Sequence, residues 1–110
     1  MGDRHPSTAS SLNNLAGLYK SQGRYSEAEP LYVQALEIRQ TELGDRHPDT
    51  ATSLFNLAAL YHQTQRHQQA LAYIKQALDI YIPALGSEHP TTQAAQEWLA
   101  VIQQAIDQST

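Results

Sequence analysis

Gly2-Asp3-Arg4-His5-Pro6 returns 42 residues later as Gly44-Asp45-Arg46-His47-Pro48, and after the same interval as Gly86-Ser87-Glu88-His89-Pro90. Outward from these anchors, residues 1–42 and 43–84 align without a gap and nearly half their positions are identical. Residues 85–110 begin a third copy. Self-similarity at a fixed period of this size marks a stack of equivalent units, each too thin to bury its own apolar face. Such a stack offers surface to partners rather than enclosing a catalyst. The expected organisation is one small domain over 1–110, with repeat one at 1–42, repeat two at 43–84 and a capping helix segment at 85–110.

Within each unit the apolar spacing is helical. Leu12, Leu15, Ala16, Leu18 and Tyr19 fall at steps of three and four, and Leu54, Leu57, Ala58, Leu60 and Tyr61 repeat them. A turn follows each run, at Ser21-Gln22-Gly23-Arg24 and at Gln63-Thr64-Gln65-Arg66. A second run then begins: Ala28, Leu31, Tyr32, Ala35, Leu36, Ile38, matched by Ala70, Tyr73, Ile74, Ala77, Leu78, Ile80. Each unit therefore reads as two antiparallel helices, and the pattern predicts helices near 6–21, 26–42, 48–63, 68–84 and 90–107. Small residues (Ala16, Ala28, Ala35 and their counterparts) stand beside large ones, as closely packed helices require.

The punctuation agrees. Pro6, Pro48 and Pro90 suit a first helical turn, where a missing N–H costs nothing. Ser26-Glu27-Ala28-Glu29 has the pattern of a capping box. Gly44 and Gly86 stand where a left-handed residue ends a helix. Pro30 is tolerable early in its helix, whereas Pro83 removes the bond to the Asp79 carbonyl and is expected to kink the fourth helix or end it early. The last segment replaces Leu54 and Tyr61 by Gln96 and Gln103, as a helix closing an open end should. At the other end, the outer face of block one keeps apolar residues that a preceding unit would cover.

Composition narrows the function classes. The chain has 110 residues, no cysteine and a net charge of −4. Disulfides, thiol nucleophiles and thiolate metal sites are excluded. A chain of this size buries roughly two-thirds of its unfolded surface, so modest stability is expected. The final segment holds Glu88, Glu97 and Asp107 and neither Lys nor Arg. Nothing resembles the basic face that nucleic-acid binding needs. No leader-like or membrane-spanning stretch is present, so the expectation is a cytoplasmic protein with no membrane partner.

The five histidines do not read as a site of chemistry. His5, His47 and His89 occur one per unit, about 20 Å apart along a stack of helices, whereas metal ligands must lie about 2 Å from one ion. They are expected to brace helix starts. His62 and His67 flank a turn with no acidic or thiolate neighbour. Ser, His and Asp recur at the repeat period, while a catalytic set is needed only once. The glycines are isolated and form no phosphate loop. No catalytic residue, metal or cofactor is expected.

Leu12, Leu15, Ala16, Tyr19, Gly23, Tyr25, Ala28, Tyr32, Ala35 and Leu36 resemble the tetratricopeptide repeat signature. The 42-residue period, with His-Pro opening each unit and Leu43-Gly44 and Leu85-Gly86 closing it, resembles the longer variant found in kinesin light chains. Repeat two departs from the pattern at Gln65 and His67, which bears on the tightness of its turn. The resemblance implies an all-α, right-handed solenoid of antiparallel helix pairs, whose first helices line a concave face that binds peptides or helices. The groove pattern carried over to this chain gives Ser10, Asn13, Gly17 and Lys20, then Thr52, Phe55, Ala59 and His62, then Glu97 and Val101.

Three of these positions differ between otherwise matched units: Asn13/Phe55, Gly17/Ala59 and Lys20/His62. They are free of scaffold duty and form a mixed polar and aromatic strip. Asn14 and Asn56 recur one period apart, and Asn56 joins the strip as a polar contact. The family members that clamp a C-terminal carboxylate use paired Lys and Asn, whereas the sites here read Asn13, Gly17, Phe55 and Ala59. A ligand with apolar content, anchored on Phe55, fits better. The expected function is a non-catalytic protein–protein interaction module for a protein or peptide ligand. The alternative is a structural segment of a longer array, or a unit that self-associates through its uncovered first repeat.

Overall fold

The computed structural model describes residues 5–109. Gly2, Asp3 and Arg4, which open the first copy of the motif, and the outer limits of the 1–110 span lie outside the described residues. Five helices follow in order: α1 (Pro6–Ser21), α2 (Tyr25–Leu43), α3 (Pro48–Gln63), α4 (His67–Leu85) and α5 (Pro90–Gln108). Each packs on the next; α1 with α2 and α3 with α4 make the closest pairs. The result is an all-α solenoid of helix hairpins with a terminal helix. Its shortest dimension is 19 Å, two helix diameters.

Each unit starts on the same cap. The Nδ1 atoms of His5, His47 and His89 accept from the backbone N–H groups of Ser7, Asp49 and Thr91 at 3.0, 3.0 and 3.1 Å. A proline follows each histidine at the first helical position. The histidines thus brace helix starts, as their recurrence predicts. Gly44 and Gly86 end α2 and α4 with φ of 101° and 92° and ψ of 159° and 153°. The positive φ agrees with their position past a helix end, but the region is the extended one open essentially to glycine alone, not the left-handed helical one.

The hairpin turns are Schellman motifs. In repeat one the Arg24 N–H donates to Tyr19 O at 2.9 Å and the Gly23 N–H to Lys20 O at 3.0 Å. In repeat two the Arg66 N–H donates to Tyr61 O at 2.8 Å and the Gln65 N–H to His62 O at 3.2 Å. Gln65 keeps the turn despite lacking glycine's freedom, at φ +68° against +78° for Gly23. Each arginine then folds back over the tyrosine of its own turn: Arg24 lies 4.5 Å from the Tyr19 ring centre and Arg66 4.3 Å from that of Tyr61.

Two sequence expectations are corrected. No capping box forms at Ser26: α2 starts at Tyr25, its cap is Arg24, and no side chain caps it. The turn carries the chain directly into the helix, so the Arg24 carbonyl already accepts from Glu27 and Ala28. Glu27 instead accepts from Arg24 Nε at 2.8 Å, and Glu29 reaches into the next unit. Pro83 does not end α4, which continues to Leu85. The Asp79 carbonyl that Pro83 leaves without its helical donor accepts from Arg46 Nη2 at 3.4 Å.

The core runs without a break from Ala16, Tyr32 and Leu36 through Leu54, Leu57, Leu60 and Ile74 to Ala95 and Ile102. Ala16, Ala28, Ala35, Ala58, Ala70 and Ala77 are completely buried, which lets neighbouring helices approach. Repeat one is clamped to repeat two by Glu29. Its carboxylate accepts from Arg66 Nη2 at 2.5 Å and Nη1 at 3.3 Å, and from the Tyr61 hydroxyl at 3.1 Å. Burial, then the nearby Glu29 charge, pushes the Tyr61 phenol up to about 12. At the far end, Gln96 and Gln103 of α5 are exposed where α3 buries Leu54 and Tyr61.

Candidate protein-binding face

Between α3 and α5 lie two neighbouring cavities. The larger, about 460 Å³, is lined by Thr52, Phe55 and Asn56 of α3, Tyr81 of α4 and the first turns of α5. The smaller, about 230 Å³, is lined by His62, Glu97, Trp98 and Val101. The Trp98 ring joins them. Its centre is 6.2 Å from that of Phe55 and 5.7 Å from that of His62, edge-on to both. A row of three half-buried aromatic rings, Phe55, Trp98 and His62, therefore crosses the junction of α3 with α5.

Several polar groups around this row have identifiable partners. The Thr52 hydroxyl lies 2.7 Å from the Tyr81 hydroxyl and 3.2 Å from the Pro48 carbonyl, which fixes both lining groups. His62 and His67 face each other with 3.1 Å between their Nδ1 atoms, so one ring donates its N–H to the other. Burial first, and His67 second, lowers the His62 pKa below its ordinary 6.5, which keeps the ring neutral near pH 7. Glu97 contributes the carboxylate, and neither cavity is lined by Lys or Arg. Such a surface accepts apolar and aromatic side chains and neutral or cationic groups.

The other candidates divide by helix. Thr52, Phe55, Asn56, His62, Glu97 and Val101 line the two cavities. Ala59 lies buried between them at 4% exposure. Asn13, Gly17 and Lys20, on α1, line neither. With its oxygen turned to the guanidinium, the Asn13 amide accepts from Arg39 Nη1 at 2.7 Å and Nη2 at 3.2 Å. Ser10 accepts from the same Nη2 at 3.4 Å. Gly17 has the Tyr32 hydroxyl 3.7 Å from where a Cβ would stand. Burial lowers the Lys20 pKa.

Trp98 and Tyr81 are the residues that sequence reasoning missed. The signal for Trp98 is there: it occupies the place of Asn14 and Asn56 in the third unit, and it is the only tryptophan. The departures from the repeat that mark Asn13/Phe55 mark this position more strongly. Among the described residues, no group of three or more His, Cys, Asp or Glu could hold a metal. None of their helices is long and apolar enough to cross a membrane.

The family model described as Tetratricopeptide repeat matches residues 7–83. Among solved structures, one from Podosopora anserina, described as kinesin light chain nearly identical TPR-like repeats, superposes with a TM-score of 0.89 at 33% identity, covering 98% of this chain and 51% of that one. A single-substitution form of that same protein gives 0.87 at 33% identity, covering 96% and 50%. BtubC (BKLC) from P. vanneervenii gives 0.84 at 27% identity, covering 90% and 40%. The chain thus spans about half or less of the length of these structures. No curated protein matches it.

Proposed function

The chain belongs to the tetratricopeptide repeat family, and from that premise we propose that it is a non-catalytic interaction module binding a peptide or helix across α3 and α5. Repeats of this family mediate protein–protein interactions. The observation that carries the reading is the aromatic row Phe55–Trp98–His62, which is half-buried and bridges two open cavities, with Phe55 and Trp98 packed on the edge of the core. Rigid aromatic side chains beside partly satisfied polar groups are what anchor a partner at low entropic cost.

In this reading Phe55 and Trp98 receive an apolar side chain of the ligand. Asn56 and His62 meet its polar groups, and Glu97 favours a basic neighbour. A contact surface of this extent supports micromolar affinity, about −8 kcal/mol. Asn13 and Lys20 on α1 extend the strip only for a ligand long enough to cross the first repeat.

The test is selection of peptides from a random display library on the whole chain, with binding read by titration calorimetry and, where Trp98 is kept, also by its emission. The selected peptides are expected to carry an aromatic or large aliphatic residue and to shift that emission. Phe55→Ala should weaken them about tenfold or more. Selected peptides that bind Phe55→Ala and Trp98→Phe as well as the unaltered chain would overturn the assignment.

A further inference from the structure

We propose that the outer face of α1, with the Tyr19–Arg24 turn, is a docking surface for another helical repeat that presents a carboxylate at the register of Glu29. The internal equivalence of the two units carries the argument. Leu57 and Leu60 of α3 are fully buried, whereas their counterparts on α1, Leu15 and Leu18, are 41% and 53% exposed. The difference in setting is α2, which packs on α3 and has no counterpart on α1 among the described residues. The face of repeat two that takes a preceding repeat is thus repeated on repeat one, uncovered.

The polar half of the interface is repeated as well. On repeat two, Arg66 lies over Tyr61, and both are held by Glu29 from the preceding unit. On repeat one, Arg24 lies over Tyr19 in the same turn geometry. Its carboxylate is Glu27 of its own helix, in a pair that is about half exposed on both sides. The receiving half of the clamp is therefore formed before any partner arrives.

The same comparison selects the occupant. In a second copy of this chain, the residue equivalent to Glu29 on α4 is Leu71, and the third unit carries Gln103 and Gln108 in place of Tyr61 and Arg66. The α4–α5 end of a copy has no carboxylate at the required register and ends on a polar face. A repeat of the same period with Asp or Glu at that position complements Arg24, while its apolar residues cover Leu15 and Leu18.

The experiment extends the whole chain at its N-terminus by a duplicate of its own residues 1–42, whose Glu29 then faces Tyr19 and Arg24. One cooperative thermal transition is expected, raised by about 5 °C or more. Glu29→Gln in the duplicate and Arg24→Gln in the original unit should each remove part of the gain, and together no more than either alone. Separate melting of the added unit, an unchanged midpoint, a silent Glu29→Gln or an extended chain that does not fold would overturn the proposal. Sedimentation of the unextended chain checks the occupant independently. A monomer at all concentrations supports it; concentration-dependent pairing abolished by Arg24→Gln would replace the acidic repeat by a second copy.

Discussion

Glu29, in the first turns of α2, binds the guanidinium of Arg66, at the start of α4, through both carboxylate oxygens across 37 residues of sequence. The pair links the second helices of successive repeats at their turn ends, and the Tyr61 hydroxyl adds the first helix of repeat two. A contact of this span forms only when the two hairpins stack in register, so it reports on the repeat interface rather than on either hairpin.

Glu29→Gln should lower stability by about 1 kcal/mol at neutral pH. Arg66 is over a third exposed and solvent screens the pair, so a larger cost is not expected. The sign with pH is fixed. The hydrogen bonds from Arg66 hold the Glu29 carboxyl below its ordinary 4.5 against the opposing effect of burial. A lowered folded-state value gives stability that is full above the unfolded pKa and lost as pH falls through the folded one. Denaturant midpoints taken from pH 7 to pH 3 should fall for the unaltered chain below about pH 4.5, and less steeply for Glu29→Gln. Parallel profiles would show that the pair does not couple to folding.

What could be read from the sequence followed from repetition. Helix limits, histidine caps and the core alanines were legible because each feature occurs at least twice with the same spacing, so chance matches cancel. Features that occur once were not. Trp98 breaks the pattern of Asn14 and Asn56, yet the last segment reads as a mere cap because it lacks a partner helix. Ser-x-x-Glu at Ser26 fits a capping box in sequence, while the Schellman turn before it has already placed the helix start at Tyr25. The burial of Arg39 has no signal in the sequence, since only the packed structure shows the oxygens converging on it.

Those oxygens make Arg39 a sensitive position. It donates from Nη1 to the Asp49 carbonyl and the Ser53 hydroxyl, both at 3.1 Å, besides meeting Ser10 and Asn13. Arg39→Ala should cost about 3 kcal/mol, because it leaves a cavity and strands the buried Ser53 hydroxyl. Repeat two solves the same position with Tyr81 against Thr52, beside Phe55. Arg39→Tyr combined with Ser10→Thr and Asn13→Phe should therefore be more stable than Arg39→Tyr alone. Chemical denaturation of the two variants decides it, and a triple variant no better than the single one contradicts the equivalence.

Gln65 holds a backbone conformation that costs a non-glycine residue about 1 kcal/mol, and its counterpart Gly23 shows that glycine fits the same turn. Glycine's greater freedom in the unfolded chain offsets part of the gain. Gln65→Gly should stabilise by about 0.5 kcal/mol, raising the melting temperature by a few degrees. The reverse exchange, Gly23→Gln, should lower it by a similar amount. Calorimetry on both variants gives opposite signs if the turns are equivalent.

His62 should make Trp98 a pH reporter. The two rings meet edge-on at 5.7 Å, and a protonated imidazole at that range quenches indole emission where a neutral one does so weakly. Burial, and secondarily His67, lowers the His62 pKa below 6.5, so the ring stays neutral while an unfolded chain would already be charged. Stability linked to His62 is therefore full above about pH 6.5 and declines as pH falls from there to the lowered folded value. Trp98 emission should drop as the folded chain titrates through that lower value. His67→Gln should move the midpoint of the drop upward without restoring the ordinary value, because burial is the larger cause. His62→Gln should abolish it. Emission that is flat with pH, or a His67→Gln midpoint that moves down, would contradict the close packing of His62 against Trp98 on which the binding face depends.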